Sequence, residues 1–93
     1  MIPEPLFPLG TLVATPGALI ALKRNATLPS TLLVKHGAGD WGVVDAEDWQ
    51  ANDAAAANRG RVFSAYRLAD GTKLWCITEA DRSSTCLMLP DEY

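Results

Sequence analysis

The stretch Arg61 to Leu89, RVFSAYRLADGTKLWCITEADRSSTCLML, decides how this chain folds. Arg61 to Leu68 is rich in β-branched and aromatic residues, Asp70-Gly71 supplies a hairpin turn, and Lys73 to Glu79 reads as the return strand. A two-residue loop sets Tyr66 opposite Trp75 and Ser64 opposite Ile77 on one side, with Ala65 opposite Cys76 and Phe63 opposite Thr78 on the other. Both faces are largely apolar. A polar connection, Ala80 to Ser84, leads to a third strand, Thr85 to Leu89, which Pro90 ends.

Upstream of Gly60 the pattern is helical. Asp45 is a candidate N-cap and Asp48, three residues on, stands where a capping-box acid belongs. Val44 and Trp49 hold the hydrophobic-staple positions, and the helix continues through alanines to Asn58 or Arg59, with Trp49 as its expected anchor. A second helix is expected from about Pro29 to His36, with Leu28, Leu32 and Leu33 as its apolar stripe and Gly37 as its stop. A third starts at Thr15-Pro16, as N-cap and N1, and runs to Lys23-Arg24, burying Leu19 and Leu22 with Ile20 beside them. Leu9 to Ala14 is a short strand or an extended lead-in, and Pro3, Pro5 and Pro8 keep residues 1–8 irregular. The expected architecture is α+β in one domain spanning residues 1–93. Residues 15–59 are mainly helical, and two to three short helices pack on a small three- to four-stranded antiparallel meander over 61–89.

Composition bounds the chemistry. Ninety-three residues leave no room for a Rossmann unit, a P-loop domain or a barrel. Eleven acids against eight bases give a net charge of −3, which argues against direct DNA binding by a basic field. The Met1-Ile2-Pro3-Glu4-Pro5 start has neither the basic nor the apolar region of a signal peptide, and no apolar run spans a bilayer. A cytoplasmic protein, off the membrane, is expected. Cys76 and Cys86 lack metal-ligand spacing, so buried thiols are favoured over a cross-strand disulfide. No metal and no cofactor motif is present: CxxC, HExxH, a phosphate-cradling glycine loop with lysine and a nucleophilic serine elbow are all missing.

Three features remain as candidate sites. The loop HGAGDWG, His36 to Gly42, displays a lone histidine, Asp40 and Trp41 among three glycines. His36 reads as an acid/base or ligand contact with Asp40 as its carboxylate partner and Trp41 as an anchor; in the plainer alternative these residues cap, turn and fill the core. The loop Thr78 to Thr85 packs Glu79, Asp81 and Arg82 among four hydroxyls, and His36 with Glu79, Asp81 and Arg82 makes a minimal nuclease-like set. From Asp40 to Asp53 five acids occur with no base, including Asp45, Glu47 and Asp48, interleaved with Trp41 and Trp49. Such a strip can imitate phosphates in a basic groove of another protein, although helix capping alone places three of those acids.

The string HGAGDWG, then Ser64-Ala65-Tyr66, then Trp75 to Tyr93 (WCITEADRSSTCLMLPDEY), resembles a family of small proteins from plasmids and other mobile elements, marked by HxxGDWG and ITEADRSxT in that order. The resemblance extends from about Leu6 onward. Members often carry the automatic label of a type I restriction enzyme methylation subunit or of a plasmid-related protein. The methylation label fails physically, because no S-adenosylmethionine fold or catalytic Pro-Pro motif fits here. The resemblance implies a mobile-element accessory protein, a setting in which small acidic proteins often inhibit host defence as antirestriction or anti-CRISPR factors. It carries over no catalytic residues, and the cysteines at 76 and 86 depart from the aliphatic or polar residues expected there.

Three readings follow. The first is a non-enzymatic inhibitor whose partner is a host protein or ribonucleoprotein defence complex, bound through Asp40, Trp41, Asp45, Glu47, Asp48, Asp81 and Arg82. The second is a small hydrolase or nuclease using His36 with Glu79, Asp81 and Arg82. The third is a structural homo-oligomer, such as a homodimer, joined through the outer hairpin face of Tyr66, Trp75 and Ile77.

Overall fold

A computed structural model describes residues 4–93. In chain order it contains β1 (Thr11–Ala14), α1 (Pro16–Arg24), α2 (Pro29–Gly37), α3 (Ala46–Asn58), β2 (Val62–Arg67), β3 (Lys73–Thr78) and β4 (Ser84–Met88), followed by a 3-10 turn at Pro90–Glu92. The class is α+β. Of the expected irregular lead, residues 1–3 lie outside the described residues; from Glu4 to Gly10 no helix or strand forms, and Leu6 N–H donates to Gly37 O.

The hairpin forms with a register one residue away from the two-residue expectation. Gly71 N–H donates to Leu68 O and Leu68 N–H to Thr72 O, so the loop is Ala69-Asp70-Gly71, with Gly71 at φ +90. A three-residue loop ending in a left-handed glycine uses the same Asp-Gly pair as a two-residue turn does. Tyr66 therefore pairs with Leu74, Ala65 with Trp75, Ser64 with Cys76 and Phe63 with Ile77. One face now holds Val62, Ser64, Tyr66, Leu74, Cys76, Thr78, Thr85 and Leu87, all buried beneath the helices. Tyr66 belongs to this core, where its hydroxyl donates to Asp40 O, and Ile77 is also buried. The hairpin face proposed for dimerisation thus reduces to half-buried Trp75, which packs between Phe63 and Tyr93.

The sheet is mixed, in the order β1-β4-β3-β2, because β1 joins β4 in parallel. The purely antiparallel meander is thereby corrected. Register also decides the thiols: Cys76 sits opposite Leu87 and Cys86 opposite Ile77, so the two cysteines point to opposite faces and are free.

The helix starts follow their caps. Thr15 Oγ1 accepts from Ala18 N–H, and Asp45 Oδ1 accepts from Asp48 N–H at 2.8 Å. The C-terminal turn adds a second acceptor at α1, where the Glu92 carboxylate takes Gly17 N–H and the Thr15 hydroxyl. Helix α1 buries Ala18, Ala21 and Leu22 against Leu74 and Leu87, leaving Leu19 and Ile20 exposed. Leu28 is likewise exposed, as the residue before α2. Helix α3 lies along β2, and its buried residue is Asn52 rather than Trp49, which is half-buried. Asn52 accepts from Phe63 N–H and donates to Phe63 O, acting as a side-chain strand.

The segment Trp41–Val43 pairs with β2 at Ala65: Val43 N–H donates to Ala65 O at 2.7 Å and Ala65 N–H to Trp41 O. Gly42 makes this approach possible. Its φ is +78, and a Cβ there would stand 1.9 Å from Ala65 O. Gly42→Ala is expected to cost at least about 2 kcal/mol, read from urea unfolding, because both the backbone strain and the lost edge pairing act together. An unchanged midpoint would show that this segment is not held against β2.

Candidate functional site

His36 occupies the last turn of α2 rather than a displayed loop, and it is completely buried. Its Nδ1 lies 2.5 Å from Ser64 Oγ and its Nε2 2.8 Å from Thr78 Oγ1. Thr78 Oγ1 is 2.7 Å from Thr85 Oγ1, which in turn donates to Leu9 O at 2.6 Å. That last bond fixes the direction of the others. Thr85 has a single proton, given to a carbonyl, so it accepts from Thr78; Thr78 then accepts from His36 Nε2–H, and Nδ1 accepts from Ser64. His36 is thus the neutral Nε2–H tautomer. Phe7 and Trp41 crowd its ring at centroid distances of 5.4 and 5.8 Å, and burial pushes its pKa down to about 4.

A serine hydroxyl donating to a histidine is the pairing that activates a nucleophile. Here, however, it lies inside the core, where Ser64 and His36 are both fully enclosed. The surface hollows at Leu19–Pro29, at Arg59–Arg82, at Asp48–Phe63 and at Asp53–Ala57 have neither side chain in their walls. Both ring nitrogens are taken by hydroxyls, so His36 makes no hydrogen bond to Glu79, Asp81 or Arg82. Nor does Asp40 pair with it: Asp40 accepts from Gly42 N–H at 3.1 Å, in an Asx turn.

Arg82 is committed to the fold. Its Nη1 donates to Gly60 O at 2.7 Å and its Nη2 to Ala55 O at 2.9 Å, while its guanidinium lies 5.2 Å from the Phe7 ring centroid. It thereby places a positive charge on the carbonyl end of α3 and ties the β3–β4 loop to that helix. Asp81 turns away to accept from Ser83 N–H, and the Ser83 hydroxyl, together with that N–H, holds its carboxyl below the ordinary range. Glu79 pairs with Arg61 at 3.3 Å on the surface.

Trp41 is fully buried and is therefore not a surface anchor. Its Nε1 donates to Asp53 Oδ1 at 2.9 Å, linking the β2-edge segment to the middle of α3. Asp40, Asp45, Glu47, Asp48 and Asp53 remain exposed. Capping accounts for Asp45 alone among the three acids at the α3 start. The carboxylates of Glu47 and Asp48 accept no hydrogen bond among the described residues, so Asp48 does not close a capping box.

The sequence reading missed Ser64, Thr78 and Thr85 as the partners of His36. A correct register exposes the signal: Val62, Thr78 and Thr85 form one inward row and Ser64, Cys76 and Leu87 the next, so the hydroxyls cluster beneath α2. Among the described residues no three or more His, Cys, Asp or Glu side chains converge as a metal site, and no helix is long and apolar enough to cross a membrane. No family model matches the chain, and no curated protein or solved structure matches it significantly.

Proposed function

We propose that this protein is a binding module that acts through the acidic end of α3, occupying a basic, nucleic-acid-handling surface of a host defence complex. The observation that carries the reading is a division of labour among polar side chains. His36, Ser64, Thr78 and Arg82, the groups suited to chemistry, spend their hydrogen bonds inside the fold. Glu47 and Asp48 spend none and are exposed, as are Asp40 and Asp45. The resemblance to mobile-element accessory proteins supplies the setting, in which inhibition of restriction or CRISPR machinery is the corresponding activity. Without Trp41 and Arg82, the contact surface consists of Asp40, Asp45, Glu47 and Asp48, with the exposed Asp81 carboxylate as a separate acidic point.

The test is a triple variant, Asp45→Asn, Glu47→Gln and Asp48→Asn, measured against the complex captured from the natural host. Asparagine caps a helix about as well as aspartate, so stability should change by less than about 1 kcal/mol. Binding should weaken by at least tenfold, and the wild-type association rate should fall as salt rises. Undiminished binding by the triple variant would remove the acidic-surface reading.

A further inference from the structure

The two edges of the sheet are finished differently. At β2, Asn52 takes both peptide groups of Phe63, and Trp41 and Val43 take those of Ala65. At β1 nothing among the described residues does the equivalent. Thr11 N–H donates to Ser83 O and Thr15 N–H to Leu87 O. In a parallel ladder this turns the peptide groups of Thr11 and Val13 toward β4 and those of Leu12 and Ala14 outward. Two N–H and two C=O groups therefore line the free edge. Beside them Leu12 and Val13 are 54% and 46% exposed. The stretch Thr-Leu-Val-Ala has no charge and no proline, two of the devices that stop an exposed edge from pairing.

We propose that β1 is a homodimerisation strand: two copies pair antiparallel through β1, about a twofold axis at Val13, into one eight-stranded sheet. The occupant follows from self-complementarity. With Val13 on the axis, Leu12 of each copy stands opposite Ala14 of the other, and each such pair exchanges two hydrogen bonds. All the outward groups of both residues are thereby satisfied. The neutral edge offers no counter-charge to a charged guest strand, whereas an identical strand brings no charge to desolvate. A register centred on Leu12 would instead enlist Gly10 opposite Ala14, and Gly10 has left strand geometry at φ +67. Helix α3 packs at β2, the far edge of the sheet. Pairing through β1 therefore leaves both acidic ends uncovered, with the two β2 strands seven spacings of about 4.8 Å apart, roughly 34 Å. This proposal stands or falls independently of what those ends bind.

Val13 supplies the test, because its peptide group stays with β4 while its side chain is solvent-exposed in the monomer. In the dimer it meets its own symmetry mate at a close, non-hydrogen-bonded position. Sedimentation and light scattering across a dilution series should show a monomer–dimer equilibrium for the wild type. Val13→Asp and Val13→Lys should each raise the dissociation constant by at least roughly 50-fold through like-charge contact, and their equimolar mixture should restore the dimer. Circular dichroism identifies a folded monomer. If a charged variant does not fold, Leu12→Pro gives the same readout, since it removes an outward N–H and leaves the β4 ladder intact. A wild type that stays monomeric at every concentration, a folded charge variant that still dimerises, or a mixture that stays monomeric would each overturn the proposal.

Discussion

Replacing Trp41 with alanine is expected to destabilise the protein by about 3–5 kcal/mol, the range for removing a large aromatic from a packed core. Domains of this size have only about 5–15 kcal/mol in total, so the variant should sit near the limit of folding. The melting temperature should fall by at least about 12 °C, at roughly 4 °C or more per kcal/mol. The large effect has three sources: a fully enclosed ring, contacts to Phe7 and the His36 imidazole, and the Nε1 bond to Asp53. Trp41→Phe retains most of the volume and leaves the exposed Asp53 carboxylate to water, so its cost should be smaller, about 1–2 kcal/mol. The pair of variants separates two roles for this residue. A surface anchor would lose partner affinity while its unfolding free energy moved by less than about 0.5 kcal/mol. Urea unfolding of Trp41→Ala with an unchanged midpoint would contradict the buried placement.

What could be read from the sequence was local. Thr15-Pro16 and Asp45 mark helix starts because a cap depends on residues within four positions of itself, and the structure has α1 beginning at Pro16 and α3 at Ala46. The Asp70-Gly71 turn was legible for the same reason, but its loop length was not, since one Asp-Gly pair serves both a two- and a three-residue connection. That single residue of slip moved Tyr66 from a supposed outer face to the core and hid the hydroxyl rows around His36. The parallel pairing of β1 was out of reach altogether. Its four residues carry no periodicity, and their partner strand lies some seventy positions away. Burial of Trp41 and His36 is likewise a tertiary fact. Glycines around a histidine and a tryptophan suit a displayed loop as well as a tightly packed corner, and only the contact of Gly42 with Ala65 distinguishes the two.

His36 should make folding stability depend on pH between about 6.5 and 4. Its pKa is about 4 in the folded protein and about 6.5 in the unfolded chain. Above pH 6.5 neither state is protonated and the residue contributes no slope. Between pH 6.5 and 4 only the unfolded chain takes up the proton, so stability falls with falling pH, by about 1.4 kcal/mol per unit and roughly 3 kcal/mol across the window. Below pH 4 both states are protonated and the loss from this group stops. Asp70 and Asp81 have folded pKa values below their ordinary 3.8, and Glu92 below its ordinary 4.5, so the stability they contribute is present above those ordinary values and is lost as pH falls through and below them. The interval from 6.5 to about 5 lies above the ordinary values of all three, so a slope there comes from His36 rather than from them. Urea unfolding at half-unit steps should show the slope in the wild type and its absence in His36→Gln, whatever that variant loses at pH 7. Imidazole carbon shifts in the folded protein should stay those of a neutral Nε2–H ring down to about pH 4. An imidazole titrating near 6.5, or a wild-type slope equal to that of His36→Gln, would mean that the ring is open to water. The Ser64–His36 pair would then have to be reconsidered as accessible to a substrate, so the same titration that measures a core histidine also tests the remaining enzymatic reading of this chain.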